Sequence, residues 1–546
     1  MTDQGKSNNA EYDAVVVGAG FGGMYMLHHL RELGFRAVVL ERAADVGGTW
    51  FWNRYPGARC DVESINYSYS FSPAFEQEWV WSEKYATQPE ILRYANHVAD
   101  RFDLRKDIRF DVSVEAAVWN DEASRWEIST STGETLTAQH YIMASGCLSH
   151  SKLPEIPGVE SFTGKTYHTG HWPHEGVDFT GLRVGVIGTG SSGIQSIPLI
   201  AAQASKLTVF QRTPNFSMPA GNRLLTEAEI TDIKSRYRDH RQAARVSGFG
   251  VPMPDPTHSA MDVTEEERNR KFEEGWNSGN LVALLLAFND IITSKESNDT
   301  AAEFIRNKIR AVVTDPKTAE DLCPFDHPVG TKRPCLDTNY YTTFNRPNVT
   351  LVNLRRTPIT EILPNGLRTT DETFEFDAIV YATGFDAMTG AIVAVDIRGK
   401  DGVTLKSEWE HGPRTYLGLC VAGFPNFYTI TGPTSPSVFS NMMVSIEQHV
   451  EWIGAAMTHL RETGKSTIEA TLEAQDGWVQ HNNEAGDTTL YPLANSWYMG
   501  ANVPGKPRVL MPYVGGVGVY RQECDEIVAD DYRGFVLREA RQTADV

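Results

Sequence analysis

Two residues of opposite charge stand at matching places in two similar stretches of this chain. Glu41 lies 23 positions after Gly18, and Arg212 lies 24 positions after Gly188. An acid at such a place accepts hydrogen bonds from ribose hydroxyls and repels a 2′-phosphate, so the first site is expected to take FAD or NAD. A guanidinium keeps its charge and forks onto phosphate, so Arg212, followed by Thr213, points the second site to NADP. The plainer reading of Arg212 is a solvated cation at a strand end. FAD beside NADPH passes hydride from nicotinamide to flavin, and the flavin then does the harder chemistry. The six cysteines (Cys60, Cys147, Cys323, Cys335, Cys420, Cys524) include no C-x-x-C pair. That removes dithiol chemistry and offers no zinc cluster, so no metal site is expected. Dioxygen is then the natural electron acceptor, which suggests a monooxygenase or an oxidase.

The elements that must hold these residues are legible as repeated strand, turn and helix. Tyr12–Val17 is an apolar run that reads as a buried parallel strand. Gly18, Gly20 and Gly23 form the turn, and a helix follows through Met24, Leu27, Leu30 and Leu33 to Gly34. Arg36–Leu40 is the next strand. The pattern recurs as strand Leu182–Ile187 and the turn Gly188-Thr189-Gly190-Ser191-Ser192-Gly193. Its helix carries Gln195, Ile197 and Ile200, and the strand Lys206–Gln211 follows. One Gly-x-Gly-x-x-Gly is weak evidence, but two in complete βαβ settings make dinucleotide-binding fingerprints. Charged, helix-favouring segments such as Thr226–Gln242 and Thr264–Trp276 mark an insertion. Strand signals return at Val349–Val352 and Asp377–Tyr381, the latter leading into Ala382-Thr383-Gly384. A helix is read at Val444–Arg461, and Asn502–Gly518 reads as loops. The expected fold is α/β, with two Rossmann-like dinucleotide-binding domains and a helical insertion in the NADP domain. The FAD domain takes residues 1–145 and 381–546, the NADP domain 146–220 and 331–380, and the insertion 221–330.

Composition sets outer limits. The 546 residues are 41% hydrophobic and 22% charged, which are ordinary globular proportions. Fifty Lys and Arg against seventy Asp and Glu give −20, so a nucleic-acid partner is not expected. The polar stretch Met1–Asp13 shows no signal-peptide pattern, and the longest apolar run, Leu281–Phe288, is too short to span a bilayer. A cytoplasmic enzyme without a membrane partner, monomeric or a small homo-oligomer, is the expectation.

Two further stretches carry a resemblance. Phe162, Gly164, His168, Trp172 and Pro173 match every fixed position of F-x-G-x-x-x-H-x-x-x-W-P. Gly48, Trp50, Tyr55, Pro56, Gly57 and Asp61 match a flanking G-x-W-x-x-x-x-Y-P-G-x-x-x-D. At these residues the sequence resembles the type I Baeyer–Villiger monooxygenases over essentially the whole chain. Arg59–Ser64 and Gly432–Met442 look most similar to the phenylacetone and steroid monooxygenase branch. The resemblance implies that NADPH reduces FAD, dioxygen adds at the flavin C4a, and the peroxyanion attacks a ketone to give an ester or lactone. Aryl-aliphatic, cyclic or bulky ketones and sulfides are the implied substrates.

The resemblance also implies roles. Arg333 stabilises the peroxide and the intermediate, Asp61 holds Arg333, and Lys332 joins Arg212 and Thr213 on the NADP phosphate. The plainer reading is a structural Asp–Arg pair. Arginine suits the peroxide role because, unlike lysine, it stays charged when buried. Thr49, Trp50, Asp61, Tyr67 and Met442 are implied at the flavin, Trp497 at NADP, and Ser437, Val438 and Phe439 around the ketone. Phe439 is bulkier than the leucine usual in that branch, so it either narrows the pocket or swings aside. His168 is expected to serve an interdomain motif that coordinates movement. The rivals are an N- or S-oxidising flavin monooxygenase and a non-catalytic FAD/NADP redox sensor.

Overall fold

The computed structural model describes residues 10–539; most of the polar N-terminal stretch discussed above and residues 540–546 lie outside them. Each glycine-rich stretch sits at the carboxyl end of a strand, Ala10–Val17 in one sheet and Arg183–Ile187 in the other. The first sheet contains Ala10–Val17 (β1), Ala37–Leu40 (β2), Ile108–Arg109 (β3), Val114–Asn120 (β4), Arg125–Thr130 (β5) and Thr135–Met143 (β6). Its order is Asp396–Arg398, β4, β5, β6, β1, β2, β3, with Phe427–Thr429 paired to the end of β6. β1 starts earlier than its apolar pattern because Ala10, Glu11 and Tyr12 already pair with Leu136, Thr137 and Ala138 of β6. Backbone hydrogen bonding, rather than side-chain burial, sets that end.

The second sheet is wholly parallel. Lys165–His168 (β7), Arg183–Ile187 (β8) and Lys206–Gln211 (β9) join Val349–Asn353 and Ala378–Tyr381 in the order Val349–Asn353, β9, β8, Ala378–Tyr381, β7. Val184, Val186, Leu207, Val209, Ile379 and Val380 are fully buried, because helices and loops cover both faces. An antiparallel meander of Ile359–Leu363, Gly366–Thr369 and Thr373–Glu375 leads back into the sheet. The β4–β5 hairpin does the same in the first sheet.

The insertion carries helices Glu227–Val246, Glu265–Ser278, Lys295–Val312 and Pro316–Leu322, capped by Thr226, Thr264, Ser294 and Asp315. The last three bury Phe272, Ile305, Ile309 and Leu322 in the core of the second sheet. The first differs from expectation. It leans on helix Pro73–Glu78 of the other unit, where Arg241 pairs with Glu76 at 2.8 Å. The insertion therefore bridges both units. Leu281–Phe288 forms turns, and among the described residues no helix is long and apolar enough to cross a membrane.

Two chain segments pass side by side between the sheets. Met388 N–H donates to Cys147 O and Asp386 N–H to His150 O, both at 2.8 Å.

Candidate active site

The two nucleotide loops repeat one geometry. Gly18 and Gly188 have φ of +103° and +111°, which turns each strand sharply into its helix. A Cβ on Gly23 would stand 1.8 Å from the Gly18 carbonyl oxygen, and one on Gly193 2.4 Å from that of Gly188. Only glycine lets these helices pack so closely on their strands. Helices Phe21–Glu32 and Ser191–Gln203 begin at Gly20 and Gly190 with no side-chain cap and no acid in the first turn. The insertion helices are capped by side chains, whereas these two present their first N–H groups and positive dipole ends to a ligand. A pyrophosphate fits that donor set. Gly48 approaches so closely that its Cβ would stand 2.9 Å from Gly20 Cα, narrowing the first cradle.

Glu41 directly follows β2 and is almost wholly buried, its carboxylate accepting from Ala19 N–H at 2.6 Å and Ala43 N–H at 2.8 Å. Burial pushes its pKa up, and these backbone donors oppose that shift. The acid thus ties the glycine loop to the strand end while retaining lone pairs for a ribose. Thr49 opens the short helix Thr49–Trp52 and is exposed, and Trp50 Nε1 donates to the Tyr67 hydroxyl at 3.0 Å.

Arg212 ends in solvent with no ion-pair partner among the described residues, beside Lys332 and Arg355. Burial lowers the Lys332 pKa, the Asp326 carboxylate opposes that and the charges of Arg212 and Arg355 add to it, and its Nζ donates to Asn495 O at 2.5 Å. Thr189 Oγ1 donates to Thr213 O at 3.1 Å, fastening the loop to the end of β9. Arg212, Lys332 and Arg355, the last paired with Asp326, gather three cations and one carboxylate around Thr213, a net positive site suited to a phosphate. Gln195, which the second fingerprint offers as a cofactor-binding residue, also makes contacts within the protein. It accepts from the Tyr55 hydroxyl at 2.9 Å and donates to Arg59 O at 3.1 Å, so it links the two units.

Arg333 is the centre of the arrangement. Its Nε and Nη2 donate to the two oxygens of Asp61 at 2.7 and 2.8 Å, and Nη1 donates to Val438 O at 2.8 Å. Three of its five N–H groups are thereby used, and two remain. Burial alone would lower its pKa, but the Asp61 charge and hydrogen bonds raise it well above the ordinary value. Asn215 fixes the backbone behind it by donating to Arg333 O at 2.9 Å. Ser191 of the second loop meets Cys335, two residues beyond Arg333, at 3.2 Å. The guanidinium therefore stands at the seam, with Asp61 from one unit and the second glycine loop from the other.

An apolar cluster flanks this seam. Val438, Phe439, Met442, Tyr491, Trp497 and Tyr498 pack together, with Met442 opening the long helix Met442–Glu462. Phe439 contacts Tyr491 at 4.6 Å (30°) and Tyr498 at 4.6 Å (64°). Ser437 has φ +24° in the tight turn below.

The 162–173 motif runs across the interdomain contact. The Phe162 ring lies over Gly164, and Trp172 packs on Tyr167 and Phe179 while its backbone N–H reaches Trp52 O at 3.4 Å. Pro173 follows in the same turn. His168 Nδ1 accepts from Gly170 N–H at 3.0 Å, and burial lowers its pKa to about 4. Its Nε2 faces the Thr383 hydroxyl at 3.4 Å, in the returning segment. Neither Asp61 nor Arg333 is among its partners.

Residues 15–225 match the family model described as pyridine nucleotide-disulphide oxidoreductase. The chain is 43% identical over 539 residues to a Baeyer–Villiger monooxygenase of Pseudooceanicola batsensis, covering 98% of each. The chain belongs to the type I Baeyer–Villiger monooxygenase family. A phenazine N-monooxygenase of Lysobacter antibioticus is 42% identical over 540 residues, again covering 98% of each chain. A solved steroid monooxygenase bound to NADP shares 52% identity at a TM-score of 0.93, covering 97% of this chain and all of that one. In this Baeyer–Villiger family member, sequence reasoning missed Tyr498, Asn215 and Arg355. Arg355 had a usable signal: it follows the strand that pairs with β9, so both strand ends deliver arginines to one place. Tyr498 and Asn215 carry no local pattern, and tertiary packing alone brings them to Arg333.

Proposed function

We propose that this chain is an FAD- and NADPH-dependent monooxygenase that inserts one oxygen atom of O2 beside a ketone carbonyl, giving an ester or lactone. The observation that carries the reading is Arg333, held in a fork by Asp61 and by the Val438 carbonyl at the seam between two nucleotide loops. When bound, FAD reduced by NADPH supplies the chemistry that activates dioxygen. The chain supplies the rest. The uncapped helix ends hold the pyrophosphates, Glu41 takes a ribose, and Arg212, Thr213, Lys332 and Arg355 address the 2′-phosphate. Arg333 presents a charge that cannot be lost by deprotonation toward the negative charge that develops on the transferred oxygen. The Phe439, Tyr491, Trp497 and Tyr498 rings exclude water there, which strengthens that interaction.

Tyr491 and Tyr498 pin the Phe439 ring, so in our reading it narrows the ketone pocket and does not swing aside. Ketones slender on that side are the favoured substrates. Six unpaired, buried cysteines fit a reducing, cytoplasmic setting. The phenazine N-monooxygenase relative favours a second reading, oxygen transfer to an aromatic nitrogen. The purified enzyme is offered phenylacetone, cyclohexanone and phenazine in parallel with NADPH. Ester or lactone supports the first reading, and N-oxide without either supports the second.

A further inference from the structure

A buried chain of hydrogen bonds reaches Arg333 from the far side of the C-terminal unit. Tyr520 Oη donates to Leu417 O at 2.5 Å and accepts from His449 Nε2 at 3.1 Å. His449 Nδ1 accepts from Thr431 N–H at 2.8 Å. Thr431 O accepts from Ser437 Oγ at 3.3 Å, and the next residue, Val438, gives its carbonyl to Arg333. Every direction in this chain is fixed. The Thr431 N–H can only donate, so His449 carries its proton on Nε2 and must be neutral. Both His449 and Tyr520 are fully buried, and burial beside Arg521 lowers the imidazole pKa to about 3.

The segment at the end of this chain is strained. Thr431, Thr434 and Ser437 all have positive φ, at +57°, +65° and +24°, within seven buried residues. Non-glycine residues hold such angles only where surrounding contacts over-determine them. Other contacts brace the middle of the turn: Trp478 Nε1 donates to Thr434 O at 3.1 Å, and Thr434 N–H to Met511 O at 2.6 Å. At its first residue the bracing partner of the backbone N–H is an imidazole. We infer that His449, set by Tyr520, is a positioning residue for the oxygen-transfer step: it braces Thr431–Ser437 so that the Val438 carbonyl fixes the orientation of the Arg333 guanidinium. This rests on the reading of Arg333 given above.

The geometry of imidazole provides the test. An asparagine at 449 places its amide oxygen where Nδ1 stands and keeps the Thr431 contact. A glutamine reaches the Nε2 position and keeps only Tyr520. His449→Leu keeps neither. The holoenzymes are compared for ester formed per NADPH oxidised, for hydrogen peroxide released, for anaerobic flavin reduction by NADPH, and for melting temperature. The ratio of ester to NADPH should fall about fivefold in His449→Leu and His449→Gln, the consequence of losing the buried hydrogen bond from Thr431 that both variants lack, with peroxide rising to match. Flavin reduction should not change, because Arg333 acts after it. His449→Asn should recover most of the coupling. Wild-type coupling in His449→Leu would overturn the inference, and so would equal losses in all three variants, which would make the ring a space-filler. If His449→Leu does not fold, the Asn and Gln pair decides by the same split. Ester formation by the wild-type enzyme tests the underlying reading separately.

Discussion

Replacing Arg333 by lysine keeps the positive charge and removes the fork. Arg333 makes three hydrogen bonds, two to Asp61 and one to the Val438 carbonyl. A lysine ammonium on a flexible stem retains at most one of them in the same geometry. Charged hydrogen bonds are worth about 1.5–3 kcal/mol each. The side chains of Arg333 and Asp61 are 25% and 21% exposed, so solvent screening reduces that figure. The loss is then about 2–3 kcal/mol in total, on the order of 30- to 150-fold in the step that depends on orientation. The assay follows ester formed per NADPH consumed, alongside anaerobic reduction of the flavin. Arg333→Lys should reduce its flavin normally, yet turn most NADPH into hydrogen peroxide. Arg333→Ala should make no measurable ester. A lysine variant with the wild-type ester yield would show that charge alone suffices and that the fork is only structural.

Arg212→Ala should raise the KM for NADPH about 10- to 100-fold, the loss of one charged hydrogen bond, and barely alter that for NADH; equal weakening of both would remove Arg212 from the 2′-phosphate. Gly23→Ala places a Cβ 1.8 Å from the Gly18 carbonyl oxygen, so the purified variant should lack flavin absorbance; a full flavin complement would contradict the packing argument. Phe439→Leu removes the ring clamped by Tyr491 and Tyr498 and should shift kcat/KM toward bulkier ketones; an unchanged rank order across a ketone panel would place the pocket elsewhere. Burial lowers His140 from 6.5 to about 3, so between those values the unfolded chain takes up its proton first. Its stabilising contribution is therefore complete above pH 6.5 and lost as pH falls toward 3. His140→Gln should flatten the decline in urea midpoint between pH 6.5 and 4, and equal slopes would count against this origin.

The parts of the fold visible in the sequence were those where local pattern and tertiary role coincide. Lys206–Gln211 forms the strand its run of Leu207, Val209 and Phe210 predicts, because both its faces are buried. The two glycine turns were legible because close approach leaves glycine as the sole choice at Gly23 and Gly193. The β4–β5 hairpin and the Ile359–Glu375 meander were not read, since their residues alternate between core and solvent over short spans. Charge at 41 and 212 was readable, but the Glu41 grip on Ala19 and the Gln195 tie to Tyr55 depend on where loops arrive. The site divides in the same way. Asp61 and Arg333 were named through a resemblance, whereas the Val438 carbonyl on Arg333 is a backbone contact that no residue type announces. The insertion shows the limit of composition: its first helix looks like its neighbours, yet Arg241 and Glu76 draw it to the other unit.

The most direct measurement supplies the enzyme with NADPH, a ketone and isotopically heavy dioxygen, and weighs the product. Wild type should give an ester or lactone carrying one heavy oxygen atom, and Arg333→Ala none although its flavin is still reduced. Ester without the label, or undiminished labelled ester from Arg333→Ala, would contradict the proposed function.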